Sequence, residues 1–261
     1  MSLAKTARPF LLSWLEPLVA GLWIFFLVWT AFIAVIWSCG IGDGVFTKTV
    51  GNGDLRAALE WLIGVGDIVW ITLAAANIHL WLAETEGLAA ARRWALIVII
   101  GVAALAALSV WSGFPLGAIR YSPPLGVKLG PVPLGLPLLW FALIIGARQT
   151  VLRVWPGAGQ AQLAAAVGGL ALLTDFNLEP VAAKIRGFWF WSASAPFKPP
   201  LFDPPWTNYA AWAGVAVALT FALREQRVAA GTRVSAARPV TIFVVLNAVF
   251  LAANFGRWLR G

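Results

Sequence analysis

The sequence predicts an all-α polytopic membrane bundle of about seven transmembrane helices, and three observations carry that prediction. Of its 261 residues 61% are hydrophobic and only 11% charged, with a mean hydropathy of +0.83, far outside the range of a soluble domain. Apolar runs near the length of about 20 residues that a bilayer-crossing helix needs recur from end to end. The alternating pattern of a membrane β-barrel does not occur.

Taken in order, the apolar runs lie near Leu18–Trp37, Leu59–Trp81, Trp94–Phe114, Val132–Ala147, Gln160–Thr174, Tyr209–Leu223 and Pro239–Phe255. They form one transmembrane domain over 1–261. The first follows Lys5 and Arg8 as in a signal peptide, but it is too long for that and lacks a small-residue cleavage site, so it reads as a retained helix. The fifth is the shortest and reads as tilted or partly re-entrant. Glu179 precedes Pro180, and a residue before proline is steered away from helix, so the backbone is expected to break there. No internal repeat supports an inverted-repeat transporter. Alternating the helices places ten of the nineteen Lys and Arg on the amino-terminal side, and the dense group from Arg224 to Arg238 favours a cytoplasmic amino terminus.

A net charge of +8 and a pI near 10.6 would suit nucleic acid, yet the cations are scattered over inter-helix loops. They read as topology signals and contacts to lipid headgroups, with no nucleic-acid partner. Cys39 is the lone cysteine, which excludes an internal disulfide and a thiolate metal cluster. His79 has no second His or Cys beside it, so no metal is expected. Sixteen Trp and sixteen Phe against two Tyr exceed what interfacial belts require, and the surplus suits the walls of a long apolar ligand site.

Polar residues gather in three places. The second run carries Asp67, Asn77 and His79, and ionisable groups at bilayer depth face the bundle interior. Asp67 reads equally as a bond to a neighbouring helix and as a functional acid, His79 as an interfacial cap, and Glu84 and Glu86 as a solvated loop beside Arg92 and Arg93. Ser112–Trp140 is rich in Gly and Pro, among them Pro115, and holds Tyr121 between Arg120 and Lys128. Its prolines exclude regular helix. Leu173–Trp212 crowds Asp175, Glu179, the aromatic run Phe188–Trp191, five prolines from Pro196 to Pro205 and Asn208. In an alternating bundle, loops 112–131 and 175–208 fall on one side, which favours a shared site.

Together these stretches resemble the carotenoid biosynthesis membrane protein family, with its carotenoid 1,2-hydratases and bisanhydrobacterioruberin hydratases. The resemblance spans most of the chain and rests on an ordered set: ETEG at Glu84–Gly87, the Ser112–Trp140 tract, DFNLEP at Asp175–Pro180, GFWFW at Gly187–Trp191 and PPWTNYAAW at Pro204–Trp212. It implies an integral protein of the bacterial cytoplasmic membrane. It also implies a carbon–oxygen lyase that adds water to the terminal trisubstituted double bond of an acyclic carotenoid or similar isoprenoid, with no cofactor, giving a tertiary alcohol. The family's pattern places a Glu shortly before the Gly-Phe-Pro turn, where this chain has Val110, Trp111 and Ser112.

Hydrating an isolated alkene takes a general acid to protonate carbon, walls that tolerate a tertiary cation, and a base that orients water. A carboxyl group in a low-dielectric interior keeps its proton at neutral pH, which suits Asp175, or Asp67, as the acid. The faces of Trp189, Trp191 and Trp212 suit the cation, worth about 2 kcal/mol when desolvated. Phe188 and Pro115 join that substrate wall, and Glu179, Tyr121 and Asn208 suit the positioning of water. The bland reading of Asp175 is a helix-end carboxylate bonded to Lys184 or Arg186, and that of Glu179 a cap ahead of Pro180. A second function class is a non-catalytic carotenoid-binding or assembly subunit of a larger pigment–membrane complex. A transporter or channel is disfavoured because acids do not recur along several helices.

Overall fold

The computed structural model describes residues 10–41, 50–191, 204–223 and 237–260. Lys5, Arg8, the cations from Arg224 to Arg233, and Pro196, Pro199 and Pro200 lie outside the described residues. Among the described residues there are seven long helices: α1 (Phe10–Cys39), α2 (Gly53–Thr85), α3 (Leu88–Ser112), α4 (Gly135–Val154), α5 (Gln160–Pro180), α6 (Trp206–Ala222) and α7 (Ala237–Arg260). Six of them are long and apolar enough to cross a membrane. The exception is α6, whose 17 residues span about 25 Å at 1.5 Å per residue, short of a bilayer core of about 30 Å.

The outward faces are as apolar as the interior. Ile24 and Val28 on α1 and Leu96 and Ile100 on α3 are all exposed, as lipid-facing side chains are. At the centre stands α4, with 83% of its apolar span buried. It packs against α2, α3, α5 and α7, while α7 also covers α1 and α6 lies along α5.

Local chemistry sets the helix ends. The Asn52 side chain accepts from Leu55 N–H at 3.0 Å to open α2, and Asp54 in the first turn favours the positive end of the helix dipole. At the start of α5, Gln162 Oε1 accepts from Gly159 N–H at 2.8 Å.

Two expectations need correction. The fifth run is not the short one: α5 continues from Gln160 into a π-helical turn, Val181–Ile185, and the combined span is 26 residues. Nor does the helix break at Glu179–Pro180, because Pro180 keeps helical angles, φ −64° and ψ −34°. The register changes there instead. Val181 N–H bonds to Leu178 O, one residue tighter than an α-helix, which releases Asn177 O; that carbonyl accepts from Asn254 Nδ2 of α7 at 2.8 Å. Arg186 N–H then reaches back five residues to Val181 O at 2.8 Å. A neighbouring helix thus supplies the donor that the register change withdraws from Asn177 O.

The Gly/Pro-rich connection from α3 to α4 contains β1 (Ile119–Tyr121), a 3₁₀ turn (Pro123–Leu125) and a small hairpin of β2 (Lys128–Leu129) and β3 (Val132–Pro133). After the π turn, β4 (Trp189–Trp191) pairs antiparallel with β1, Ile119 opposite Trp191 and Tyr121 opposite Trp189. Ser122 extends the ladder: its N–H bonds Phe188 O at 2.9 Å and its hydroxyl donates to Gly187 O.

Candidate active site

Asp175 and Glu179 are four residues apart on α5 and so share one face of the helix. Both are buried. Facing them, α6 starts at Trp206 after Pro205 and carries Asn208 in its first turn. Asn208 Nδ2 donates one hydrogen to Asp175 Oδ2 at 2.8 Å and the other to Glu179 Oε1 at 2.9 Å. Electrostatics fixes that orientation, since the reverse would set the amide oxygen against two carboxyl groups. The close approach of α5 and α6 depends on Gly168, where a Cβ would lie 2.6 Å from Val217 Cγ2 and 3.2 Å from Ala213 O.

Residues two apart on a strand share a side, so β4 turns Trp189 and Trp191 the same way. Both indole N–H groups donate to Glu179 Oε2, each at 3.1 Å. Gly117 makes room for this strand: its φ is +105°, and a Cβ there would fall 2.9 Å from Trp191 Cζ3 and 2.5 Å from Pro205 Cγ.

Opposite Trp189 in the ladder, Tyr121 is buried, its ring edge-on to the indole at 6.2 Å and 82°. Burial, reinforced by the neighbouring Glu179 carboxylate, pushes the Tyr121 phenol well above its ordinary value. It therefore remains a neutral donor. Among the described residues Tyr121 Oη, Asp175 Oδ1 and Asn208 Oδ1 are buried without a hydrogen-bond partner. Buried polar groups are nearly always satisfied, and these three lie beside the two acids. One turn beyond Asn208, Trp212 stacks on Trp140 of α4 at 3.9 Å and 12°, and Phe176 stacks on Tyr209 at 4.2 Å. The surroundings are aromatic.

The structure thus brings together Asp175, Glu179, Asn208, Trp189, Trp191 and Tyr121, with Trp212 one helical turn away. Three sequence candidates stand elsewhere. Asp67 accepts from Trp37 Nε1 at 3.2 Å and from Arg186 Nε and Nη2 at 2.8 and 2.6 Å, an interhelical tie. Phe188 packs edge-on against Trp37 in the core, and half-buried Pro115 lies where the chain leaves α3. Arg186 therefore partners Asp67 and not Asp175. Sequence reasoning singles out neither Trp37, which ends the first apolar run and so looks like an interfacial anchor, nor Trp140, which lies inside the fourth.

At the opposite end of the bundle, Glu84 pairs with Arg238 at 3.3 Å. Partial burial pushes the Glu86 carboxyl up from its ordinary value of 4.5, an effect the charge of Arg148 offsets in part. Among the described residues no three of His, Cys, Asp and Glu come together as a metal-ligand set.

Residues 66–259, which contain the whole carboxylate cluster, match the family model for carotenoid biosynthesis proteins. The chain belongs to that family. A curated relative, the bisanhydrobacterioruberin hydratase of Haloarcula japonica, is 34% identical over 108 residues, which cover 40% of this chain and 35% of the relative. The match thus spans about a third of that relative's length. No solved structure matches the chain. The family's residue range runs from the middle of α2 to the end of α7 and so takes in every element that supplies the cluster, leaving only α1 and the start of α2 outside.

Proposed function

We propose that this integral membrane protein of carotenoid biosynthesis hydrates the terminal trisubstituted double bond of an acyclic carotenoid, giving a tertiary alcohol without a redox cofactor. The observation that carries the reading is the pair of buried acids bridged by one amide, with three unsatisfied polar atoms beside them and indoles around them. It agrees with the hydratase name of the Haloarcula japonica relative.

The hydrogen-bond inventory divides the roles. Glu179 accepts from three N–H groups, which suits a carboxylate. Asp175 accepts from one, and its Oδ1 is open to donate. In the proposed reaction Asp175 gives its proton to the less substituted alkene carbon, and the positive charge forms on the tertiary carbon. Water held between Asn208 Oδ1 and Tyr121 Oη attacks that carbon and loses a proton to Glu179, and transfer through a second water returns it to Asp175. One water is consumed and nothing is oxidised or reduced. The indoles face the developing cation and keep bulk water out.

Of the three positions where the family's pattern places a Glu, Trp111 and Ser112 are exposed and Val110 is half-buried against the core, and none of them belongs to the carboxylate cluster. The proposed setting is the cytoplasmic membrane, where a long isoprenoid reaches the site from the lipid.

The test is product analysis in a host that makes lycopene. Wild type is expected to give a hydroxylated carotenoid, and Asp175→Asn and Glu179→Gln to give at least 100-fold less. Unmodified pigment co-purifying with wild-type protein, with no product formed, would overturn the hydratase and establish a binding subunit.

A further inference from the structure

The ion pair between Asp67 and Arg186 joins positions 119 residues apart and lies outside the carboxylate cluster. Asp67 is in the middle of α2 and 1% exposed, and Arg186, at 7%, closes the π turn. Both Arg186 contacts fall on Asp67 Oδ2, Trp37 Nε1 fills Oδ1, and Arg186 Nη2 also reaches Ile63 O at 3.4 Å. Trp37 is itself locked, edge-on to Trp70 at 5.2 Å and to Phe188 at 6.0 Å.

A buried ion pair is a poor source of stability, because desolvation costs about as much as the attraction returns; its best-attested use is to impose one register on a structure. The register at stake here is visible. Arg186 immediately precedes Gly187, which turns the chain through φ +59°, and the next residues are Phe188 and β4. Two and four residues after Gly187 come the indoles that hold Glu179 Oε2. The β1–β4 ladder and Ser122 fix this strand relative to the α3–α4 connection. The Arg186 contact ties the carboxyl end of this turn to α2.

We propose that the Asp67–Arg186 ion pair is a positioning device that sets the π turn and Gly187 so that both indole N–H groups of β4 converge on Glu179. Asp67 then acts through Arg186 and β4, and does not touch substrate. The inference rests on the hydratase reading for the role of Glu179. The geometry of the two indoles is a separate quantity.

The experiment uses full-length protein in detergent, with Asp67→Asn, Arg186→Gln, the double variant, and Arg186→Lys, which keeps the buried charge where a neutral variant fails to fold. Two readouts are taken: turnover of lycopene, and hydrogen exchange of the ¹⁵N-labelled Trp189 and Trp191 indoles, assigned with Trp→Phe variants. The pair predicts at least a tenfold fall in kcat with KM within twofold for Asp67→Asn and for Arg186→Gln. It also predicts no further fall in the double variant, and at least tenfold faster exchange of both indoles. Arg186→Lys, which loses the two-pronged contact, should fall between. Unchanged indole exchange in folded Asp67→Asn or Arg186→Lys protein would overturn the device, whatever the turnover. If wild type gives no hydrated product, the hydratase reading fails and the exchange data alone decide the positioning role.

Discussion

Replacing Glu179 by Gln tests a buried side chain held by three donors. Its carboxylate accepts from Asn208 on one oxygen and from Trp189 and Trp191 on the other. A glutamine has a single acceptor oxygen. Facing the indoles, it sets its NH₂ against the Asn208 NH₂; facing Asn208, it sets that NH₂ against two indole N–H groups. One or two hydrogen bonds are therefore lost and the remainder lose their charge assistance. Bonds to a charged group contribute about 1.5–3 kcal/mol each, so the variant should be destabilised by about 2–5 kcal/mol. Denaturant unfolding in mixed micelles, followed by tryptophan emission, measures the difference. A double-mutant cycle with Trp191→Phe should show coupling of about 1 kcal/mol or more, since the indole's partner is already gone. A Glu179→Gln variant within about 0.5 kcal/mol of wild type, with no coupling to Trp191, would refute the clamp.

Three further outcomes follow from other parts of the structure. Tyr121→Phe removes a buried hydroxyl with no described partner, so unfolding should show stability unchanged or raised by up to about 1–3 kcal/mol, while hydrated product falls at least tenfold. Gly168→Ala sets a methyl 2.6 Å from Val217 Cγ2; overpacking of about 1–3 kcal/mol should outweigh the helix-propensity gain of about 1 kcal/mol, and adding Val217→Ala should restore the loss. Burial raises Glu86, so the folded state holds its proton more tightly than the unfolded state does. Its contribution favours folding below the ordinary value of 4.5 and is lost as pH rises from there through the folded value. Glu86→Gln should therefore stabilise slightly at neutral pH and have no effect at pH 4, read as the difference in thermal midpoint between the two pH values.

The bundle was legible because each of its signals is local. A run of about 20 apolar residues announces a membrane helix whatever surrounds it, and all seven runs became helices. The end of α5 was misread because the penalty for continuing a helix through Glu179–Pro180 is local while its compensation is not. The donor for the freed Asn177 carbonyl comes from Asn254, 77 residues on. The same division runs through the site. Asp175 and Glu179 stood out as acids in apolar sequence, and Trp189 and Trp191 as aromatics in a row. That one amide would bridge both acids, and that both indoles would fall on one oxygen, depends on three elements meeting, α5, α6 and β4. Asp67 shows the limit most sharply: a lone acid in an apolar helix signals a partner, but only the fold selects Arg186, 119 residues away, over an alkene.

These dependencies explain why the acids sit on α5 and their partners on elements that arrive later in the chain. Two carboxyl groups one turn apart in an apolar interior repel when both are ionised, and each costs several kcal/mol to desolvate. The chain meets this with four donated hydrogens, two from Asn208 and one from each indole. Three go to Glu179 and one to Asp175. An even division would hold both groups alike and leave no distinction between acid and base. The uneven one gives Glu179 three donors and leaves Asp175 Oδ1 unengaged, so in the proposed reaction the difference between base and acid follows from donor placement. Trp189 and Trp191 create that asymmetry, and their aim depends on the π turn that follows Pro180.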